Sequence, residues 1–359
     1  AWISTAATPL PTSAYVGRVA GQKAVRPLSD DLSSVNSGTS NNEHVEPATP
    51  SRMDVDAASH QDQTSAVVLN MSPIERYTVH QTVRDSLFGR VVLASDNASG
   101  LPVAIKVSKM DLLAQGRTLH GGKVIENPIL EAKMMRIIGH HPNIISLLDE
   151  HVFQGLHWMV MEFAPHGEFF DFVCQRGHLD EATARHYFRQ MIAALKHLHD
   201  HGVCHLDFSL ENLLMDSNYD VKLCDFGVAR QVPSDGSKFA GITREKPGKL
   251  RYMAPEVLGG QPFDGKAADM FSLGVTLYSM LTGNAPFEAA HAKDKRYQYV
   301  SSGRLRQMLD ILQLRGRVSD DALLLLEGLL CFEGKRLTVD QVLAHPWVQA
   351  TWQFSSLSA

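Results

Sequence analysis

Two acidic residues and an amide occupy fixed positions in the stretch from 205 to 227, and these residue types could hold magnesium and phosphate. Asp207 and Asn212 belong to an H-x-D-x-x-x-x-N pattern, and Asp225 opens a D-F-G triplet. Carboxylate and amide oxygens without thiolate or histidine partners suit magnesium rather than zinc. The alternative is a solvated hairpin with ordinary turn residues, which one pattern alone would favour but both at this separation do not. The stretch therefore predicts phosphoryl chemistry.

A hairpin must position these three side chains. The apolar run at 213–215 and the alternating run at 221–223 predict two short strands, and Asp-Ser-Asn at 216–218 predicts the turn between them. A hairpin of this length brings its two ends together. We therefore expect the two carboxylates and the amide to converge on one small volume.

The composition indicates a globular protein and argues against nucleic acids and membranes as partners. The 359 residues, 44% hydrophobic and 20% charged, can bury one large core or two medium ones. A net charge of −5 gives no reason to expect nucleic acid or an anionic membrane as a partner. The sequence has no run of about 18 apolar residues, so we expect no membrane span. Four separated cysteines predict free thiols in a reducing compartment, hence a cytoplasmic or nucleocytoplasmic protein, although a start without Met leaves targeting open.

The order of elements predicts an α+β fold with two lobes. Residues 1–72 are rich in Ser, Thr, Asn and Pro without periodicity, which predicts disorder, and 351–359 form a short tail. Five β-rich runs predict an antiparallel lobe with one helix and one polar loop; the strands are at 77–79, 90–94, 103–107, 144–148 and 156–162, the loop at 111–128 and the helix at 129–138.

From residue 163 onward the periodicity is helical. An apolar stripe from 184 to 198 follows Asp180, a candidate N-cap, and a helix at 268–281 is apolar nearly all round and stops at Gly283. Further helices are predicted at 305–315, 319–331 and 338–344. A small β-rich lobe before a larger helical lobe predicts a ligand cleft between them.

These motifs, with four others, resemble the eukaryotic protein kinase family, Ser/Thr type, in its calcium/calmodulin-kinase-like or AMP-activated-kinase-like group. The others are V-A-I-K at 103–106, A-P-E at 254–256, D-M-F-S-L-G at 269–274 and H-P-W at 345–347. The resemblance covers roughly 74–350 and implies a kinase domain at 73–350, with an N-lobe to about 163 and a C-lobe from about 164.

The resemblance implies a role for each matching residue. Lys106, paired with Glu131, would contact the ATP phosphates, and Asp207 would accept the proton of the substrate hydroxyl. The residues implied as catalytic are Asp207, Lys106, Glu131 and Ser209. Those implied to bind ATP are Val83, Arg84, Ser86, Gly89, Val91, Ala104, Lys106, Met161, Glu162, Ala164, Glu168, Leu214 and Asp225. Asn212 and Asp225 would hold Mg2+, so ATP and Mg2+ are the expected cofactors.

Within that nucleotide site, Met161 would be the gatekeeper, and Glu162 and Ala164 the hinge. Cys224 is expected to face the ATP pocket as a nearly buried thiol. In the C-lobe, Arg336 stands where the family pairs an arginine with the glutamate of A-P-E, here Glu256.

Four features depart from the family pattern. The glycine-rich loop has Arg84 and Ser86 where the family has glycine, and only Gly89 stays. Leu206 replaces the arginine that receives an activation-loop phosphate. Ser209 replaces the lysine that steadies the γ-phosphate, and Lys249 replaces a threonine that helps to fix the catalytic aspartate. We therefore expect transfer to be slow and differently controlled.

Two functions are compatible with this pattern, with a small-molecule kinase a distant third. The first is a Ser/Thr protein kinase, because Lys106, Glu131, Asp207, Asn212 and Asp225 are all present. The second is a pseudokinase that acts as a nucleotide-binding or scaffolding module.

Regulation and substrate choice also follow from the resemblance. Glu168 and Glu211 match positions that receive a basic residue about three positions before the acceptor; the alternative is that Glu168 only binds ribose and Glu211 is solvated. Protein substrates are the expected partners. Because Leu206 replaces arginine, alanine at Ser234, Ser237 and Thr243 should change activity only modestly.

Overall fold

The computed structural model describes residues 73–121, 126–242 and 246–351. The predicted disorder of 1–72, the phosphoacceptor Thr243 and all but the first residue of the predicted tail lie outside these ranges. Within them the chain has the predicted α+β, two-lobed architecture.

The N-lobe is built on a five-stranded antiparallel sheet with the order β1-β2-β3-β5-β4. Its elements are α1 (Pro73–Arg76), β1 (Tyr77–Ser86), β2 (Gly89–Asp96), β3 (Pro102–Lys109), α2 (Met110–Gln115), α3 (Pro128–Ile138), β4 (Leu147–Phe153) and β5 (Leu156–Glu162). Asn127 caps α3 through hydrogen bonds from the backbone of Ile129 and Leu130.

Two N-lobe predictions are wrong in detail. The predicted loop at 111–128 contains α2, which ends where the Gly116 N–H bonds the Leu112 and Leu113 carbonyls. The predicted strand at 144–148 begins only at Leu147. Its first residues bond the C-lobe instead, since Ile145 N donates to the Leu223 carbonyl at 2.9 Å.

The C-lobe is helical, with two small two-stranded sheets beside the cleft. Its elements are α4 (Phe169–Arg176), α5 (Glu181–Asp200), β6 (Val203–Cys204), β7 (Leu213–Met215), β8 (Val221–Leu223), β9 (Arg230–Gln231), α6 (Pro255–Leu258), α7 (Gly265–Thr282), α8 (Lys295–Ser301), α9 (Leu305–Ile311), α10 (Asp320–Leu329), α11 (Val339–Leu343) and α12 (Pro346–Gln349). Short 3-10 turns lie at 210–212, 315–317 and 333–335.

The core of the C-lobe forms where α5 packs against α7. Asp180 caps α5 as predicted, and its carboxylate accepts from the backbone of Ala182 and Thr183. Nearly every residue of α7 is buried, which explains its lack of a polar face. The predicted helix at 305–315 ends early, because Gln313 has a φ of 58° that α-helix cannot accommodate.

The buried ion pair of the C-lobe also forms as the resemblance implied. Arg336 Nη1 lies 2.6 Å from Glu256 Oε1, and Nη2 lies 3.2 Å from Oε2. This bidentate geometry anchors the A-P-E segment to the region before α11. Across the described residues, no helix is both long enough and apolar enough to span a bilayer.

Candidate active site

The predicted hairpin forms and carries the acidic residues to one place. Strands β7 and β8 pair antiparallel, with Leu213 opposite Leu223 and Met215 opposite Val221. Cys224 N donates to the Asn212 carbonyl at 2.9 Å, which closes the open end of the hairpin. The two ends that hold Asn212 and Asp225 are therefore neighbours, as the sequence predicted.

A buried aspartate of α7 shapes the loop at 205–212, which precedes this hairpin and is called the catalytic loop below. Asp269 Oδ2 accepts from His205 N at 2.9 Å and from the His199 ring at 3.0 Å, and Oδ1 accepts from Leu206 N at 2.8 Å. These bonds hold Leu206 in a left-handed conformation with a φ of 63°. The turn they fix delivers the next residue, Asp207, into the cleft.

Asp207 is held at both carboxylate oxygens. Its Oδ1 accepts from the backbone N of Lys249 at 2.8 Å. Its Oδ2 accepts from Asn212 Nδ2 at 2.7 Å and from Lys249 Nζ at 2.9 Å. A carboxylate with three donors has a fixed orientation, which a positioned general base requires. The threonine lost at 249 therefore does not leave Asp207 loose.

The N-lobe supplies one buried cation to the cleft. Lys106 Nζ lies 2.5 Å from Glu131 Oε2, so the pairing implied by the resemblance forms. Burial alone would lower the pKa of Lys106, but Glu131 and Asp225 outweigh it and raise that pKa. The ammonium is therefore charged at neutral pH.

The two residues implied to hold magnesium differ in this structure. Asp225 has a charge that suits the ion, whereas the side-chain oxygen of Asn212 already accepts a hydrogen bond. Burial would raise the pKa of Asp225, but the charges of Lys106 and Arg84 outweigh it and hold that pKa below its ordinary value. A carboxylate kept ionised among cations suits a hard metal ion. Asn212 Oδ1 accepts from Lys249 Nζ at 3.0 Å, so an ammonium already occupies the second ligand. Among the described residues no three His, Cys, Asp or Glu side chains group for a metal.

The substituted glycine-rich loop forms the end of the β1–β2 hairpin. Arg84 Nη1 lies 3.9 Å from Glu168 Oε1, an exposed pair that links the two lobes across the cleft. Gly89 has a structural reason to be glycine, because a Cβ there would lie 2.0 Å from the Val107 carbonyl oxygen. Val83 is exposed on β1, and the Ser86 hydroxyl is buried without a hydrogen-bond partner among the described residues.

Several residues implied to bind ATP lie on strands beside the cleft. They are Val91 on β2, Ala104 and Lys106 on β3, Met161 on β5 and Leu214 on β7. Val91 stands opposite Lys106, and Ala104 opposite Met161, in adjacent strand pairs. These positions, with Leu214 on β7, are buried or half-buried. In the hinge, Ala164 is buried, and the Glu162 carboxylate pairs with Lys222 Nζ at 2.8 Å. Burial, followed by the charge of Asp225, raises the pKa of the Cys224 thiol to about 12.

Comparison with known proteins identifies the fold family. The sequence profile of the protein kinase domain matches residues 67–348. The chain belongs to the protein kinase family. Similar proteins include mouse serine/threonine-protein kinase SIK1, 34% identical over 76% of this chain and 33% of SIK1, and human NUAK family SNF1-like kinase 1, 31% identical over 78% of this chain and 39% of that protein.

A plant relative matches a shorter part of the kinase domain. CBL-interacting serine/threonine-protein kinase 24 of Arabidopsis thaliana is 36% identical over 60% of this chain and 46% of its own length. The chain thus spans between a third and a half of these relatives. All three carry kinase in their names, and they belong to the group that the motifs resembled.

Sequence reasoning about this kinase domain missed two side chains of the site. The family pattern marks Lys249 only as the replacement of a threonine. It does not indicate that Lys249 carries the kind of charge that the family has at position 209. Glu126 lies beside Gly227 and Asp225, and burial, followed by the Asp225 charge, raises the pKa of Glu126 to about 7. Nothing in the motif spacing indicates Glu126, because it precedes α3 in a polar segment.

Proposed function

We propose that this kinase domain transfers the γ-phosphoryl group of Mg-ATP to serine or threonine hydroxyls of protein substrates. The observation that carries the proposal is the orientation of Asp207, held at both oxygens beside Asn212 and facing the cleft that contains the buried Lys106–Glu131 pair. This arrangement supplies a base and a cation, the two elements that phosphoryl transfer requires of a protein.

The proposed transfer forms one bond to the γ-phosphorus and breaks another. The acceptor hydroxyl oxygen forms a bond to the γ-phosphorus while the bond from that phosphorus to the β,γ-bridging oxygen breaks. ADP leaves with the electron pair of that bond, and the hydroxyl proton passes to Asp207. Lys106 binds the α- and β-phosphates and so orients the nucleotide. Magnesium, held by Asp225 and Asn212, would offset phosphate charge when bound.

The test compares the wild type with Asp207→Asn in a magnesium-ATP phosphorylation assay on a panel of Ser and Thr peptides. Asparagine keeps the shape of the side chain and removes the base, so we expect kcat to fall by about 10³-fold. Melting temperature serves as the control for folding. Equal, background-level turnover in both proteins would favour a pseudokinase instead.

We further propose a substrate preference for a basic residue about three positions before the acceptor. Glu211 supports it, because its Oε2 is buried and has no hydrogen-bond partner among the described residues, so the residue is not simply solvated. Glu168 supports it as well, because its ion pair with Arg84 is long, at 3.9 Å, and exposed. The Glu168 carboxylate is therefore accessible to a substrate cation.

Paired peptides with Arg or Ala at that position test the preference. The wild type should favour the Arg peptide by about tenfold in kcat/KM, and Glu211→Gln should reduce the ratio. Asp310→Asn, an exposed acid on α9, should leave the ratio unchanged. Equal rates on the two peptides in the wild type would contradict the preference.

A further inference from the structure

Two of the four departures from the family pattern meet in space. Lys249 stands where the family pattern has threonine, and Ser209 stands where it has lysine. Lys249 Nζ donates to Ser209 Oγ at 3.0 Å. The same ammonium lies 2.9 Å from Asp207 Oδ2 and 3.0 Å from Asn212 Oδ1. The catalytic loop lacks the family's lysine, and a lysine of the activation segment (residues 227–254) lies beside the serine that replaces it.

The contact between the two residues joins a neutral side chain to a charged one. Ser209 is fully buried, and its hydroxyl accepts a hydrogen bond from Lys249 Nζ but carries no charge of its own. The Lys249 side chain is 37% exposed, and its ammonium lies beside the Asp207 carboxylate, where the acceptor hydroxyl is proposed to react. Gly248 makes the approach possible, since a Cβ there would lie 2.4 Å from the Leu206 carbonyl oxygen.

We propose that Lys249 is a further catalytic residue, whose ammonium contacts the γ-phosphoryl group during transfer and replaces the charge absent at position 209. The proposal rests on the function proposed above. Lys249 forms no covalent bond and gives up no proton; it offsets negative charge on the transferred group while the acceptor oxygen replaces the bridging oxygen.

The hydrogen bonds of Lys249 allow it to change partners. An ammonium has three donors, and here they are engaged by one carboxylate and two neutral oxygens, those of Ser209 and Asn212. A phosphate oxygen carries charge, so it is a stronger acceptor than a hydroxyl or an amide. An arriving γ-phosphate therefore replaces a neutral partner while the bond to Asp207 stays. Where that partner is Asn212, the exchange also frees the oxygen that is proposed to hold magnesium.

A purely structural role for Lys249 gives different expectations. If the ammonium only tied the activation segment to Asp207, removing it would weaken the fold and affect ATP and ADP alike. A contact with the γ-phosphoryl group affects ATP alone, because ADP lacks that group. The ratio of the two affinities thus separates the two roles without any turnover.

The experiment uses Lys249→Met, Lys249→Arg and the exchange variant Ser209→Lys/Lys249→Thr beside Lys249→Thr. We expect Lys249→Met to lower kcat about 10²-fold and to weaken ATP binding about tenfold with ADP binding unchanged. Lys249→Arg should retain more activity than Lys249→Met. The exchange variant should recover at least about tenfold in kcat over Lys249→Thr, which a double-mutant cycle reports as coupling.

Controls keep the outcomes separable. Lys238→Met, an exposed lysine of the same segment paired with Glu333, should behave as wild type. If wild type turns over and Lys249→Met keeps kcat within about twofold, the inference is overturned. If the wild type shows no transfer, the proposed function fails. The affinities for ATP and ADP alone then test the role of Lys249. Unchanged or equally weakened ATP and ADP binding in Lys249→Met then overturns the role of Lys249.

Discussion

The two walls of the cleft differ in how firmly they hold their functional groups. On the C-lobe wall, the catalytic loop is bonded to Asp269, and Asp207 accepts three hydrogen bonds. On the N-lobe wall, most of β1 is exposed, and the ion pair of Arg84 with Glu168 is long and exposed. Lys106, on β3, is the exception, because Glu131 holds it inside the lobe.

The difference shows where substitution is tolerated and where it must be compensated. Arg84 is exposed and Ser86 is half-buried on this hairpin, so side chains larger than glycine fit at both positions. In the catalytic loop a lost charge is replaced by another from a different segment. Positions that orient the reacting atoms need a defined partner, whereas positions that cover the nucleotide need only backbone shape.

The largest effect should follow from breaking the Lys106–Glu131 ion pair of the N-lobe wall. Lys106→Met removes the phosphate cation and leaves Glu131 buried and unpaired. We expect kcat/KM to fall about 10³-fold and the free energy of unfolding to fall by about 3 kcal/mol. Kinase assays and urea unfolding measure the two.

Lys109→Met, at the exposed end of the same strand, is the matched control and should change neither quantity. Lys106→Met/Glu131→Leu should recover stability without activity, because it removes the unpaired charge and not the missing cation. Recovery of activity in that double variant would contradict the role of Lys106.

A smaller effect should follow from disturbing the C-lobe wall through its backbone. In Gly248→Ala the new methyl would lie 3.1 Å from Asp207 Oδ1 and must displace the loop. We expect kcat to fall roughly tenfold or more, with a loss of about 1 kcal/mol in the free energy of unfolding.

Gly236→Ala is the matched control for backbone strain. Gly236 has a φ of 72°, close to the 83° of Gly248, but a Cβ there meets no described atom within 4 Å. It should lose only the stability that a left-handed backbone costs an alanine, which is less than Gly248→Ala loses, and it should keep a normal kcat. Equal kcat in the two variants would mean that the C-lobe wall is less strict than its hydrogen bonds indicate.

A change in the substituted loop should have less effect. Arg84 is 55% exposed, so Arg84→Ala should change the free energy of unfolding by less than about 0.5 kcal/mol. The KM for ATP should change about threefold, and the effect should shrink at high salt, because exposed charges are screened. Gln81→Ala on the same strand is the control. A 10²-fold change would show that the N-lobe wall holds the phosphates more firmly than proposed.

The smallest effect is expected in the activation segment. Leu206 is 8% exposed and lines a small cavity with Pro247, Met253 and Ala254, and its apolar side chain offers a phosphate no positive charge. Ser234→Ala/Ser237→Ala should therefore change kcat by less than about twofold. Phosphate analysis by mass spectrometry would accompany the assay. Complete loss of activity would show that a phosphate acts through another residue.

Much of the fold was predictable because its signals are local. The cap of α5, the hairpin of β7 and β8, and the buried character of α7 all follow from side chains close together in the sequence. The predicted strand at 144–148 was wrong because its first residues bond β8 of the other lobe. No local pattern contains that partner.

The sequence alone determined the chemistry of the cleft: a lysine, a glutamate, two aspartates and an asparagine in the order and spacing of a protein kinase. Only the tertiary structure decided that two apparent losses are joined. Lys249 and Ser209 are forty residues apart, and they meet because Asp269 fixes one loop while Gly248 admits the other. Electrostatic contact depends on distance in space rather than along the chain, so the charge missing at 209 is supplied from 249.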